Sequence, residues 1–102
     1  MNEKTKVIFR TFYPEKGGEV IAIFPELAGD SNPYRTCMSY MHVGQHGAVS
    51  LDYTEFTFPS RADEVEPLKR ELESLGYDLK VIKRMRQDHL RLRKQETEES
   101  PC

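Results

Sequence analysis

Cys37, His42 and His46 are the residues whose types could carry the sharpest chemistry in this chain. A thiolate and two imidazoles suit zinc, and three such ligands with a water in the fourth position would make a catalytic-type centre. The spacing Cys-x4-His-x3-His works against it. Five positions apart on a strand, Cys37 and His42 point to opposite faces, and only a bulge would bring them together. His42 and His46 meet more easily, because Gly44 and Gly47 let the chain fold back. A Cys/His nucleophilic pair fails the same test, since nucleophile and base must lie within about 3 Å. The plainer reading makes Cys37 a small buried hydrophobe and the histidines hydrogen-bond partners of a turn. No metal or other cofactor is expected, Cys37, His42 and His46 being the weak candidates.

Tyr40 and His42 share a strand face, with Met38 beside them and Tyr34, Tyr53, Gln45 and His46 as neighbours. Amphipathic aromatics and polar donors suit a binding surface; the plain alternative is a sheet face covered by a helix or a second protomer. A basic run follows later: Lys80, Lys83, Arg84, Arg86, Arg91, Arg93 and Lys94, against Asp88 alone. Lys83, Arg84, Arg86, Arg91 and Arg93 are the candidates for phosphate contacts, which would make binding strongly salt-dependent. The rest of the chain is acidic and the net charge is -2, so a solvated tail is the competing reading. Asp63, Glu64, Glu71 and Glu73 read as solvated helix residues. Gly17-Gly18 lacks phosphate-loop spacing and a following helix.

At 102 residues the chain has room for one domain, with enough buried surface for a core without staples. Hydrophobic residues make up 37% and charged residues 31%, a globular balance. No apolar run approaches the ~20 residues of a membrane span. Met1–Lys6 lacks a secretory apolar stretch, and two cysteines make no disulfide framework. A cytoplasmic location and no membrane partner are expected.

Alternation predicts strands over 6–13, 19–24 and 36–43, with turn chemistry at Pro14–Gly18 and at Gly44–Gly47. A fourth strand is expected over 48–58. Pro59-Ser60 opens a helix, with Ser60 as N-cap and Asp63 in the capping-box position. Val65, Leu68, Leu72 and Leu75 form its apolar stripe, and Gly76 with Tyr77 ends it. Pro67 either kinks this helix or marks its regular start. A last strand is expected over 79–85. The expected fold is α+β, an antiparallel or mixed sheet of about five strands (β-β-β-β-α-β) with one helix on one face. Residues 1–85 would form the domain, and 86–102 a charged tail, partly helical or disordered.

The string Cys37-x-Ser39-Tyr40-x-His42-x-Gly44-Gln45-His46, with Glu19-x-Ile21-Ala22-x-Phe24-Pro25-Glu26 before it, resembles a family of short uncharacterised bacterial proteins, often encoded on mobile elements. The likeness runs from about residue 6 to 85 and implies no activity. Two function classes follow from the residues. The favoured one is a non-enzymatic binding module for a protein or nucleic-acid partner, dimeric through its open sheet face. The weaker is a small metal-dependent or hydrolytic enzyme using His42 and His46.

Overall fold

Alternating apolar side chains form β1 (Thr5–Phe12), an inner strand of the sheet. The computed structural model describes residues 4–41 and 45–98. Val7 and Phe9 enter the core on one face, and Ile8 and Phe12 on the other. A 3₁₀ turn at Pro14–Lys16 and then Gly17 and Gly18, at φ +116° and +70°, return the chain antiparallel. Glycine meets those angles without steric cost. The returning strand, β2 (Val20–Phe24), is buried on both faces, as its continuous apolar run predicts. β3 (Thr36–Met41) and β4 (Gln45–Ser50) extend the sheet antiparallel.

Three expectations about the strands are corrected. Gln45, His46 and Gly47 belong to β4, not to a turn, and the stretch expected as one strand over 48–58 divides. The division follows from topology. β4 ends the sheet on one side, whereas β5 (Thr57–Pro59) pairs with β1 towards the other, so the chain must leave the sheet between them. Ser50 Oγ accepts the Asp52 amide at 3.1 Å, and Leu51–Glu55 crosses as a 3₁₀ segment that buries Tyr53. The last strand is also shorter than predicted. β6 (Leu79–Val81) runs parallel to the first half of β1, and the Ile82 amide donates to the Val7 carbonyl before the chain turns away. The result is a mixed six-stranded sheet in the order β4-β3-β2-β1, with β5 and β6 both along the far side of β1.

α1 (Ala62–Ser74) lays Leu68 and Leu72, both fully buried, over Val7, Phe9, Phe24 and Tyr40. Its N-cap is Arg61, not Ser60: the Glu64 carboxylate accepts the Arg61 amide at 3.0 Å. Ser60 lies just past β5, and its hydroxyl meets that of Thr11 on β1 at 2.7 Å. Pro67 sits inside the helix on its exposed side. At the other end Gly76 takes φ +105°, and the Tyr77 and Gly76 amides donate to the carbonyls of Leu72 and Glu73. These are the two bonds of a Schellman ending, and they set the Tyr77 ring stacked on Phe24 with centroids 5.3 Å apart.

The expected tail contains a second helix, α2 (Gln87–Glu98). His89 and Arg93, one helical turn apart, are each only 2% exposed. The buried interior therefore continues past residue 85, where the domain was expected to stop. Among the described residues, no helix is long and apolar enough to cross a membrane.

Candidate functional site

β1, β6 and the connection from β6 into α2 place cations around one cavity of about 300 Å³. It is lined by Lys6, Lys80, Lys83, Arg84 and Arg86, with Ile82, Asp88 and His89. The parallel register puts Lys6 directly opposite Lys80. Like charges side by side on neighbouring strands repel one another. Lys6 is also 3.3 Å from Glu26 Oε2. Among the described residues, no carboxylate lies within ion-pair distance of Lys80, Lys83, Arg84 or Arg86.

His89 closes the wall. Its Nδ1 accepts the Arg86 amide at 2.9 Å, a role open only to a neutral ring with its proton on Nε2. Burial holds the imidazole below its usual range, the carboxylates of Asp88 and Glu26 pull the other way, and Lys6 and Arg93 add to the lowering. With its basic nitrogen already occupied, this ring is not placed to accept a proton from a ligand. The cleft offers positive charge and N–H donors, which suits holding an anion.

The cations expected from the sequence part company here. Lys83, Arg84 and Arg86 meet at the cavity, and Arg91 stands exposed on α2 outside it. Arg93 does not join them. Its Nε donates to the Pro33 carbonyl at 2.9 Å and its Nη1 to the Pro25 carbonyl at 2.6 Å, with Met85 Sδ 3.4 Å away. Spaced four residues from His89, it falls on the inward side of α2, and burial lowers its pKa. Lys6 and Lys80 were missed as site residues. Lys80 belonged to the basic run, but nothing in the residues around Lys6 announces a parallel partner.

The expected aromatic patch is divided, with Tyr40 buried and His46 and Tyr34 exposed. Tyr40 is 1% exposed, and its hydroxyl donates to Glu71 Oε2 on α1. His46, opposite Tyr40 in the β3–β4 register, sets its ring edge-on at 4.6 Å, and its Nε2 lies 3.0 Å from the Tyr77 hydroxyl. Tyr34 is 60% exposed but precedes the other end of β3, with Lys94 Nζ 5.4 Å from its ring centroid. Tyr53 lies in the core of the opposite sheet face. His42 and the Gln45 side chain lie outside the described residues.

Cys37 and His46 are on opposite faces. Cys37 pairs with Val49 and packs with Ile8, Ile21 and Ile23, whereas His46 shares the face of Tyr40. Burial pushes the Cys37 thiol up to about 12, against a smaller opposing pull from Arg93. A thiol so placed is neither nucleophile nor ligand at neutral pH. No protein-family model, curated protein or solved structure matches the chain.

Proposed function

We propose that this protein is a small non-enzymatic binding module that holds the phosphate backbone of a nucleic acid in the cleft beside β6. The single observation that carries the reading is the convergence of Lys6, Lys80, Lys83, Arg84 and Arg86 on one cavity with Asp88 as the one acid in its lining. Phosphate neutralisation of this kind is largely sequence-independent, because phosphate contacts position a protein and base contacts specify. The cavity lining contains no Phe, Tyr or Trp, and its one imidazole, that of His89, is only 2% exposed, which leaves little ring face for a base to stack on. Backbone contact therefore leads the interaction. The family resemblance implies no activity, and the reading rests on the cleft alone. A cytoplasmic location, where nucleic acid is at hand and Cys37 stays reduced, accords with it.

The test is a titration of the full chain into a labelled oligonucleotide at low and at moderate salt. Affinity should appear at low salt and fall steeply as salt rises, the log–log slope dropping by about one for each of Lys80→Gln and Arg84→Gln. Arg91→Gln, outside the cavity, should change the slope less. Absence of affinity at low salt, or equal effects from all three variants, would refute the proposal.

A further inference from the structure

We propose that two copies of this chain pair β4 against β4, antiparallel about a two-fold axis at Ala48, so that one sheet runs through both. The argument begins with how the sheet's edges differ. On the far side of β1, β5 and β6 are three residues long. β5 ends in Pro59, which has no amide hydrogen to offer, and β6 carries Lys80 at its centre. Short length, proline and lysine are the devices that blunt an edge against further pairing. β4, at the opposite end of the sheet, has none of them. It is six residues long, Gln-His-Gly-Ala-Val-Ser, with neither a proline nor a formal charge.

The groups that β4 turns outward follow from its register. Cys37 is opposite Val49 and Ser39 opposite Gly47, and the Leu51 amide donates back to the Arg35 carbonyl at 2.9 Å. Backbone groups alternate sides along a strand. The odd-numbered residues therefore bond β3, and the amides and carbonyls of His46, Ala48 and Ser50 face away from it. Among the described residues, no strand pairs with that side.

This outward set is its own complement. Turned about Ala48, it places Ala48 opposite Ala48 of the second copy and His46 opposite Ser50, so that six backbone hydrogen bonds form. Gly47 comes opposite Val49. The position of a Gly47 Cβ has nothing within 4 Å, which leaves room for the valine of the second copy. Ala48 is exposed and small, and no like charges meet across the axis. On the face of Gly47 and Val49, a groove of about 520 Å³ lined by Phe12, Ile21, Ser39, Met41 and Val49 reaches β4. Pairing would carry it across the axis into the groove of the second copy. The cleft beside β6 lies at the other edge of the sheet, so this inference stands apart from the nucleic-acid reading.

Light scattering of the full chain at rising concentration tests it. The parent should approach twice 11.9 kDa. Ala48→Lys and Ala48→Glu should each be monomeric, because each sets like charges face to face, and their equimolar mixture should restore the dimer. Circular dichroism of each variant checks that it is folded. A folded parent that remains monomeric at millimolar concentration overturns the proposal and leaves the edge to a strand from a different protein. A dimer that both variants keep overturns it as well. Should neither variant fold, oxidation of Ala48→Cys in a Cys102→Ser background decides. Directly opposed Cα atoms at ~5.5 Å allow a disulfide, and failure to form a covalent dimer counts against the pairing.

Discussion

Arg93 Nη1 donates to the carbonyl oxygen of Pro25 across 2.6 Å, joining residues 68 apart in the chain. With the second bond, from Nε to the Pro33 carbonyl, it ties α2 to the segment between β2 and β3. A planar guanidinium can serve two carbonyls at once, which a lysine ammonium on its flexible stem does less well. Arg93→Ala should therefore cost on the order of 2–4 kcal/mol by leaving buried carbonyls without a donor, and Arg93→Lys should recover less than half. Urea denaturation followed by circular dichroism reads both. A loss within about 0.5 kcal/mol, as at an ordinary surface site, would mean that α2 does not depend on this anchor.

His89 makes stability depend on pH. Its folded pKa lies below the usual 6.5, so below that value the unfolded chain takes up a proton that the folded chain resists. The stability is fully present above pH 6.5 and is lost as pH falls through the folded value. Asp88 and Glu26 soften the effect, and Lys6 and Arg93 sharpen it. In His89→Asn, the side-chain oxygen can still accept the Arg86 amide but does not titrate. Thermal melts between pH 7.5 and 5 should slope less steeply for the variant, and parallel slopes would contradict the assignment.

Cys37 should be inert in the folded protein. Its thiol is raised to about 12 and is fully buried, so at pH 8 it is neither ionised nor within reach of a reagent. In a Cys102→Ser variant, iodoacetamide should leave Cys37 unmodified until denaturant is added, as read by mass spectrometry. Folding keeps the proton on Cys37, so stability should also fall as pH rises above 9, where the unfolded thiol ionises and the folded one does not. Rapid alkylation under native conditions would show that the β3 backbone opens there.

Gly29 should tolerate no side chain. A Cβ at this position would overlap the Cys37 carbonyl and come within 2.8 Å of the Ala48 Cα, both backbone atoms that cannot rotate aside. Gly29→Ala should cost about 1–3 kcal/mol through forced backbone shifts. A midpoint of urea denaturation equal to that of the parent would show that the 26–35 loop moves freely over the β3–β4 pair.

Much of the local structure could be read directly from residue order. Alternation assigned Val7 and Phe9 to one face and Ile8 and Phe12 to the other. It likewise separated Cys37 from Tyr40. Gly17, Gly18 and Gly76 marked the described positive-φ glycines. Of the predicted stripe of Val65, Leu68, Leu72 and Leu75 on α1, Leu68 and Leu72 are buried while Leu75, at the helix end, stays 55% exposed. These features depend on neighbours within a few positions, where side-chain direction and backbone sterics are set locally.

Tertiary structure decided the rest, because partnership across distant segments has no local signature. Lys6 reads as an ordinary polar position until β6 arrives parallel and sets Lys80 opposite it. Arg93 reads as one more cation in a basic run until α2 docks and turns it inward to Pro25 and Pro33. The residue types alone determined that this chain makes an α+β sheet with an excess of cations near its end. Which of those cations surround the cavity and which one holds the fold together was settled by long-range packing, since burial and pairing belong to the assembled chain.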